Sequence, residues 1–104
     1  MVNNIEITIN QGSKRIYEAI IFPLNNECFI NDNKYSMKSE KIDELLSAIS
    51  LWKYEYGFSN VIDCEEFNVN VFSDDKKTTY HGKGVYPDNY DKIKNILNEA
   101  LNGY

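Results

Sequence analysis

The chain has 104 residues, with sixteen acidic against eleven basic side chains and a net charge of −5. Its 42% hydrophobic content, 5 Gly and 2 Cys exclude collagen-like, disulfide-scaffold and intrinsically disordered chains; this length suits one compact domain, residues 1–104, with a single core. No apolar run approaches the ~20 residues of a bilayer-crossing helix, so no membrane association is expected.

Ile5, Ile7 and Ile9 alternate with Glu6, Thr8 and Asn10, the period of a strand with one buried face. After a Gln11-Gly12-Ser13 turn, residues 15–22 read as a second strand stopped by Pro23. It is apolar on both sides, with Tyr17, Ala19 and Ile21 on one and Ile16, Ile20 and Phe22 on the other. That pattern predicts a central strand covered on both faces. Residues 28–30 and 34–37 flank Asn31-Asp32-Asn33 as a short hairpin or edge ribbon.

Ser39 ahead of Glu40, Asp43 and Glu44 marks a helix N-cap with acids in the first turn. Ile42, Leu45, Leu46, Ile49 and Trp52 form its apolar stripe, and Gly57 is its terminator. Phe67, Val69 and Val71 alternate in a strand that turns at Asp74-Asp75 and returns over 77–82. Asp88 caps a last helix with Tyr90, Ile93, Leu97, Ala100, Leu101 and Tyr104 on its apolar face, stopped by Gly103. The order β-β-(β-β)-α-β-β-α predicts an α+β fold, a mostly antiparallel sheet of four to six strands with two helices.

A two-residue turn at Asp74-Asp75 pairs Phe72 with Lys77, Val71 with Thr78 and Val69 with Tyr80. Phe67, Val69, Val71, Thr78 and Tyr80 then face the core. Asn68, Asn70, Thr79 and His81 face away, with His81 opposite Asn68. Cys64, four positions before Asn68, lies about 13 Å from that region along an extended strand, so no thiol–imidazole pair is expected. There is no C-x-x-C, no H-x-x-x-H and no EF-hand ladder, so neither a metal nor another cofactor is expected. Gly82-Lys83-Gly84 breaks the G-x-G-x-x-G pattern at Pro87, and an Asp88 cap would repel phosphate. Glu66 and Asp74 sit eight residues apart on one strand, about 26 Å, beyond any acid–base pairing. Asp63, Glu65 and Glu66 can approach one another, but no basic or histidine partner is evident beside them.

The charge is localised. Residues 53–75 set Lys53 against Glu55, Asp63, Glu65, Glu66, Asp74 and Asp75, a net of −5, whereas 1–52 sum to −2 and 76–104 to +2. Such a balance disfavours direct nucleic-acid binding, which needs a basic stripe for the phosphates, and none is expected. Trp52, Tyr54, Tyr56 and Phe58 crowd the start of the acidic segment. Trp52 and Tyr56 continue the buried helical stripe, leaving Tyr54 and Phe58 as contact candidates. Two cysteines make no disulfide framework, and MVNNIEITIN has neither a basic nor an apolar signal region, so a cytoplasmic location is expected. Asn, Lys, Ile and Tyr supply 44 of the 104 residues, a bias typical of AT-rich genomes and hence of a low-GC bacterium or its phage.

Asp63, Phe67, Gly82, Gly84, Tyr86, Pro87, Asn89 and Tyr90, followed by Ile93 and Leu97, carry a resemblance. Residues 63–101 resemble a segment of small uncharacterised bacterial domains in which a hairpin leads through Gly-x-x-x-Tyr-Pro-x-Asn-Tyr into a helix, with Cys64 standing where that segment has glycine. The resemblance implies a hairpin packed by a C-terminal helix and carries no active site.

The expected function is a small non-catalytic protein-binding or regulatory module, of the inhibitor or immunity-protein kind. It would engage a partner with a basic patch through Tyr54, Glu55, Phe58, Asp63, Glu65, Glu66, Asp74 and Asp75. One alternative is a small enzyme or ligand-binding domain using Cys64, His81 and Tyr80. Another is a structural homodimer built on Ile16, Ile20 and Phe22.

Overall fold

Alternating Ile5, Ile7 and Ile9 become β1 (Val2–Gln11), the middle strand of a seven-stranded sheet. The computed structural model describes residues 1–60 and 63–102, and of Phe58 the backbone alone. Along the chain follow β2 (Lys14–Phe22), β3 (Glu27–Ile30), β4 (Asn33–Ser36), α1 (Ser39–Ser50), β5 (Glu55–Phe58), β6 (Glu65–Ser73), β7 (Lys76–Lys83) and α2 (Tyr90–Leu101). The sheet order is β4-β3-β2-β1-β6-β7-β5. All neighbours are antiparallel except β5, which lies parallel to β7 at the edge. The protein is therefore α+β with two helices and a mostly antiparallel sheet. The expected four to six strands become seven because β5, read in the sequence as helix end and loop, joins the sheet.

Local chemistry sets the joints. Asn31 (φ 50°) and Asp32 (φ 72°) both take the left-handed conformation between β3 and β4, as a tight primed hairpin turn requires. The Asn31 side chain also accepts from the Glu18 amide (2.9 Å) and donates to the Ile16 carbonyl (3.3 Å), fastening the turn to β2. At the other hairpin the register is the one the two-residue turn dictates: Phe72 opposite Lys77, Val71 opposite Thr78, Val69 opposite Tyr80 and Asn68 opposite His81.

The helix ends differ from expectation. Ser39 is the first helical residue and not the cap; its hydroxyl accepts from Asn26 Nδ2 (2.7 Å). α1 stops at Ser50 with Leu51 as C-cap, well before Gly57, which instead sits in β5 at φ +101°. At α2 the N-cap is Asn89 in place of Asp88, and no side chain caps the first turn. Asn89 ties the two helices together, donating to the Ala48 carbonyl (3.1 Å) and accepting the Trp52 indole N–H. Gly103 and Tyr104, expected to end the last helix and its stripe, lie outside the described residues.

The core occupies one face of the sheet. Ile5, Ile7, Ile9, Tyr17, Ala19, Ile21, Phe67, Val69 and Tyr80 are buried there beneath Ile42, Leu45 and Ile49 of α1 and Ile93, Ile96 and Leu97 of α2. Each such aliphatic or phenyl side chain contributes about 1.5–3 kcal/mol when removed from water. Because both helices pack on the Tyr17 side, the expectation that β2 is covered on both faces is corrected. Ile16, Ile20 and Phe22 remain half-buried on the open face. There Phe22 meets Phe29 edge-on (6.2 Å), Phe29 lies opposite Ile20, and Phe29 is 39% exposed. Among the described residues no helix is long and apolar enough to cross a membrane.

Candidate functional site

The polar chemistry collects where β5 joins the sheet. β5 is short, and its hold on β7 includes backbone bonds from the His81 amide to the Tyr54 carbonyl and from the Ser59 amide to the Lys83 carbonyl, each 3.0 Å. Glu55 stands beside His81 in the parallel register. The imidazole is clamped: Nδ1 lies 2.6 Å from Glu55 Oε1 and Nε2 lies 2.7 Å from Glu66 Oε2. A neutral ring can donate to only one of the two carboxylates, whereas imidazolium donates to both. The hydrogen bond to Glu55 and then that to Glu66 accordingly raise the His81 pKa above its ordinary value, against a smaller opposing effect of burial. The absence of any partner for Glu66 in the sequence reading is thus corrected. Four residues of β5 are too few for a period of two to be distinguished from loop, so nothing in the sequence announced the Glu55–His81 pairing.

Glu65 faces the other way, into the helical layer. Its carboxylate accepts from Tyr90 Oη (2.9 Å) and from Lys94 Nζ (3.0 and 3.1 Å). Burial first, then the bond to Glu65, push the Tyr90 phenol far above its usual value. Tyr86 Oη donates to the Glu65 carbonyl (2.9 Å), and its ring stacks on Tyr90 at 4.7 Å. Glu65 therefore fastens β6 to α2, and it too has the basic partner that the sequence reading missed.

Beneath this cluster lies Phe67, fully buried and surrounded by the rings of Trp52 (5.3 Å), Tyr90 (5.3 Å), Tyr56 (6.1 Å) and Tyr86 (6.3 Å). Half of the aromatic cluster is core, but not as a continued helical stripe: Trp52 lies beyond the end of α1 and is buried, and Tyr56 packs against the core from β5. Tyr54 is not core. It is 68% exposed and rests one side of its ring on Tyr80 (5.7 Å). The side chain of Phe58 lies outside the described residues.

The remaining acidic candidates divide between two ends of the hairpin. Glu55 and Glu66 gather around His81, whereas the Tyr54 ring rests on Tyr80, whose side chain alternates to the other face of β7; exposed Asp63 stands just before β6. Asp74 and Asp75 form the far turn, where Asp74 lies 3.5 Å from the terminal amine, about 26 Å away along the strand. The eight candidates do not form one continuous surface. Cys64 stands at the Glu66–Lys83 end of the hairpin, its sulfur 3.5 Å from where a Cβ on Gly84 would stand, while the imidazole is engaged by carboxylates on both sides. These carboxylates sit on opposite ring nitrogens and cannot share a metal ion with the ring; among the described residues no group of three His, Cys, Asp or Glu is arranged to hold one.

A cleft of about 480 Å³ opens between the end of α1 and the start of α2, walled by Trp52, Tyr56, Tyr86 and Pro87, with Lys53 and Asp88 also lining it. The fold is a two-layer α+β sandwich with its helices on one face. No protein-family model, curated protein or solved structure matches the chain.

Proposed function

We propose that the protein is a non-catalytic binding module that engages a basic protein partner through the β5 end of the sheet, with Tyr54 as anchor and Glu55, Asp63 and Glu66 as the acidic surround. The observation that carries this reading is the 68% exposure of Tyr54, a large ring resting on Tyr80 at the sheet edge, with Glu55 next to it in the chain. Exposed, preordered aromatics with a charged rim are the composition of interface anchors. Carboxylates around them speed encounter with a basic surface. An inhibitor that mimics phosphates, or an immunity protein, fits this chemistry. Glu55 and Glu66 share one imidazole and so keep a net negative charge between them, whereas Glu65 is matched by Lys94 and serves the reading indirectly. Asp74 and Asp75 belong to another surface.

The test is charge reversal at the two ends. Asp63→Lys is expected to slow association with the captured partner about tenfold at low salt, and Asp75→Lys to leave it unchanged. Wild-type association by Asp63→Lys would refute the steering role.

A second reading draws on the open sheet face. With both helices on the opposite side, Ile20, Phe22 and Phe29 form an apolar stripe that a second copy of the chain would cover. Light scattering that finds only monomer at high concentration would remove it. A Cys64–His81 enzyme draws no comparable support, because the imidazole that would serve as base is occupied by Glu55 and Glu66.

A further inference from the structure

The cleft between the two helix ends is independent of the β5 surface, and its lining has a definite chemistry. We propose that it binds a small zwitterion with a flat apolar body, of which an aromatic α-amino acid is the simplest member. Its volume, about 480 Å³, falls within the roughly 300–1,000 Å³ typical of small-molecule sites. Its walls are built before any ligand arrives. Trp52, Tyr56 and Tyr86 are all braced on Phe67. Their polar atoms are already engaged: the indole N–H by Asn89, the Tyr56 oxygen by the Lys53 amide (2.8 Å), and the Tyr86 hydroxyl by the Glu65 carbonyl. What the walls offer is ring surface from Tyr56 and Tyr86 beside exposed Leu51, with Trp52 itself largely buried, and the preorganisation of the rings saves ordering entropy on binding.

Charge selects the ligand. Lys53 and Asp88 line the cleft, and among the described residues neither side chain enters an ion pair. One ammonium and one carboxylate are complementary to a ligand that carries one of each. A singly charged ligand would meet a like charge at one of the two groups. The aromatic walls supply the contact area, and the two charges fix orientation.

Trp52 is the only tryptophan in the chain, so its emission reports on the cleft directly. Titration of the full-length protein with L-phenylalanine is expected to give a saturable change in that emission. L-phenylalaninamide, which lacks the carboxylate, and N-acetyl-L-phenylalanine, which lacks the ammonium, are each expected to bind about fivefold more weakly. Lys53→Gln should erase the difference between the amino acid and its amide, and Asp88→Asn the difference between the amino acid and its N-acetyl form. Both residues are exposed, so neither change threatens folding. Absence of a saturable response would overturn the proposal, as would equal binding of the three compounds. Amide binding as tight as that of the free amino acid would also overturn it, marking the cleft as a seat for a basic side chain of a partner. None of these outcomes bears on association through Asp63, so the two readings stand or fall separately.

Discussion

At the scale of single residues, His81 is the titratable side chain that the fold clamps from both sides. Its pKa is raised by hydrogen bonds to Glu55 and Glu66, above an unfolded value near 6.5. The stabilisation from this clamp is therefore fully present below about pH 6.5 and is lost as pH rises through the folded value. NMR titration of the ring is expected to place its pKa above 6.5, and Glu55→Gln to lower it. The difference in denaturation midpoint between wild type and His81→Asn should shrink from pH 6 to pH 9, and a constant difference would contradict the clamp. Glu65 gives a second expectation at this scale. Glu65→Ala removes the acceptor for the largely buried Tyr90 hydroxyl and the partner of Lys94, with an expected cost of about 1–3 kcal/mol in chemical denaturation.

The sequence disclosed where several of these side chains point but not whom they meet. His81 opposite Asn68 followed from the turn and the period of two. The same register puts Glu66, two positions from Asn68 on that face, diagonal to His81, but Glu55 did not follow, because it reaches the ring across 26 residues from an edge strand. No local period encodes that pairing.

Among the elements, strands with strict alternation and helices with apolar stripes were legible, and their ends were not. The N-caps are Lys38 and Asn89, and neither caps with its side chain; Ser39 bonds instead to Asn26, and Asn89 to Ala48 and Trp52. β5 escaped notice because an edge strand of four residues around a left-handed Gly57 has neither length nor alternation to signal it. Gly82 shows a constraint visible only in three dimensions. A Cβ there would stand 2.6 Å from the Phe67 ring and 2.8 Å from the Val85 carbonyl, so β7 can cross the aromatic cluster only as glycine. Gly82→Ala is expected to destabilise the protein by about 1–3 kcal/mol, read from its urea midpoint, with a change in Trp52 emission as the ring beneath it shifts. An unchanged midpoint would mean the cluster yields freely.

For the whole molecule, the decisive feature is the placement of both helices on one face of the sheet. Hydrophobic pattern told which residues of β1, β6 and β7 face inward. It could not tell that α1 and α2 would share the Tyr17 side of β2, because Ile16, Ile20 and Phe22 carry an equally apolar signal. The one-sided arrangement leaves three surfaces with different chemistry: an open sheet face with an apolar stripe, an edge strand flanked by Tyr54 and carboxylates, and an aromatic cleft at the helix ends. We propose the second for partner binding, where Tyr54 is exposed at the edge and acidic Glu55 follows it in the chain. The most direct test is the equilibrium affinity of the captured partner for Tyr54→Ala compared with wild type, both confirmed folded by Trp52 emission. An anchor of this type predicts a loss of about tenfold or more; an affinity equal to that of wild type would contradict the assignment.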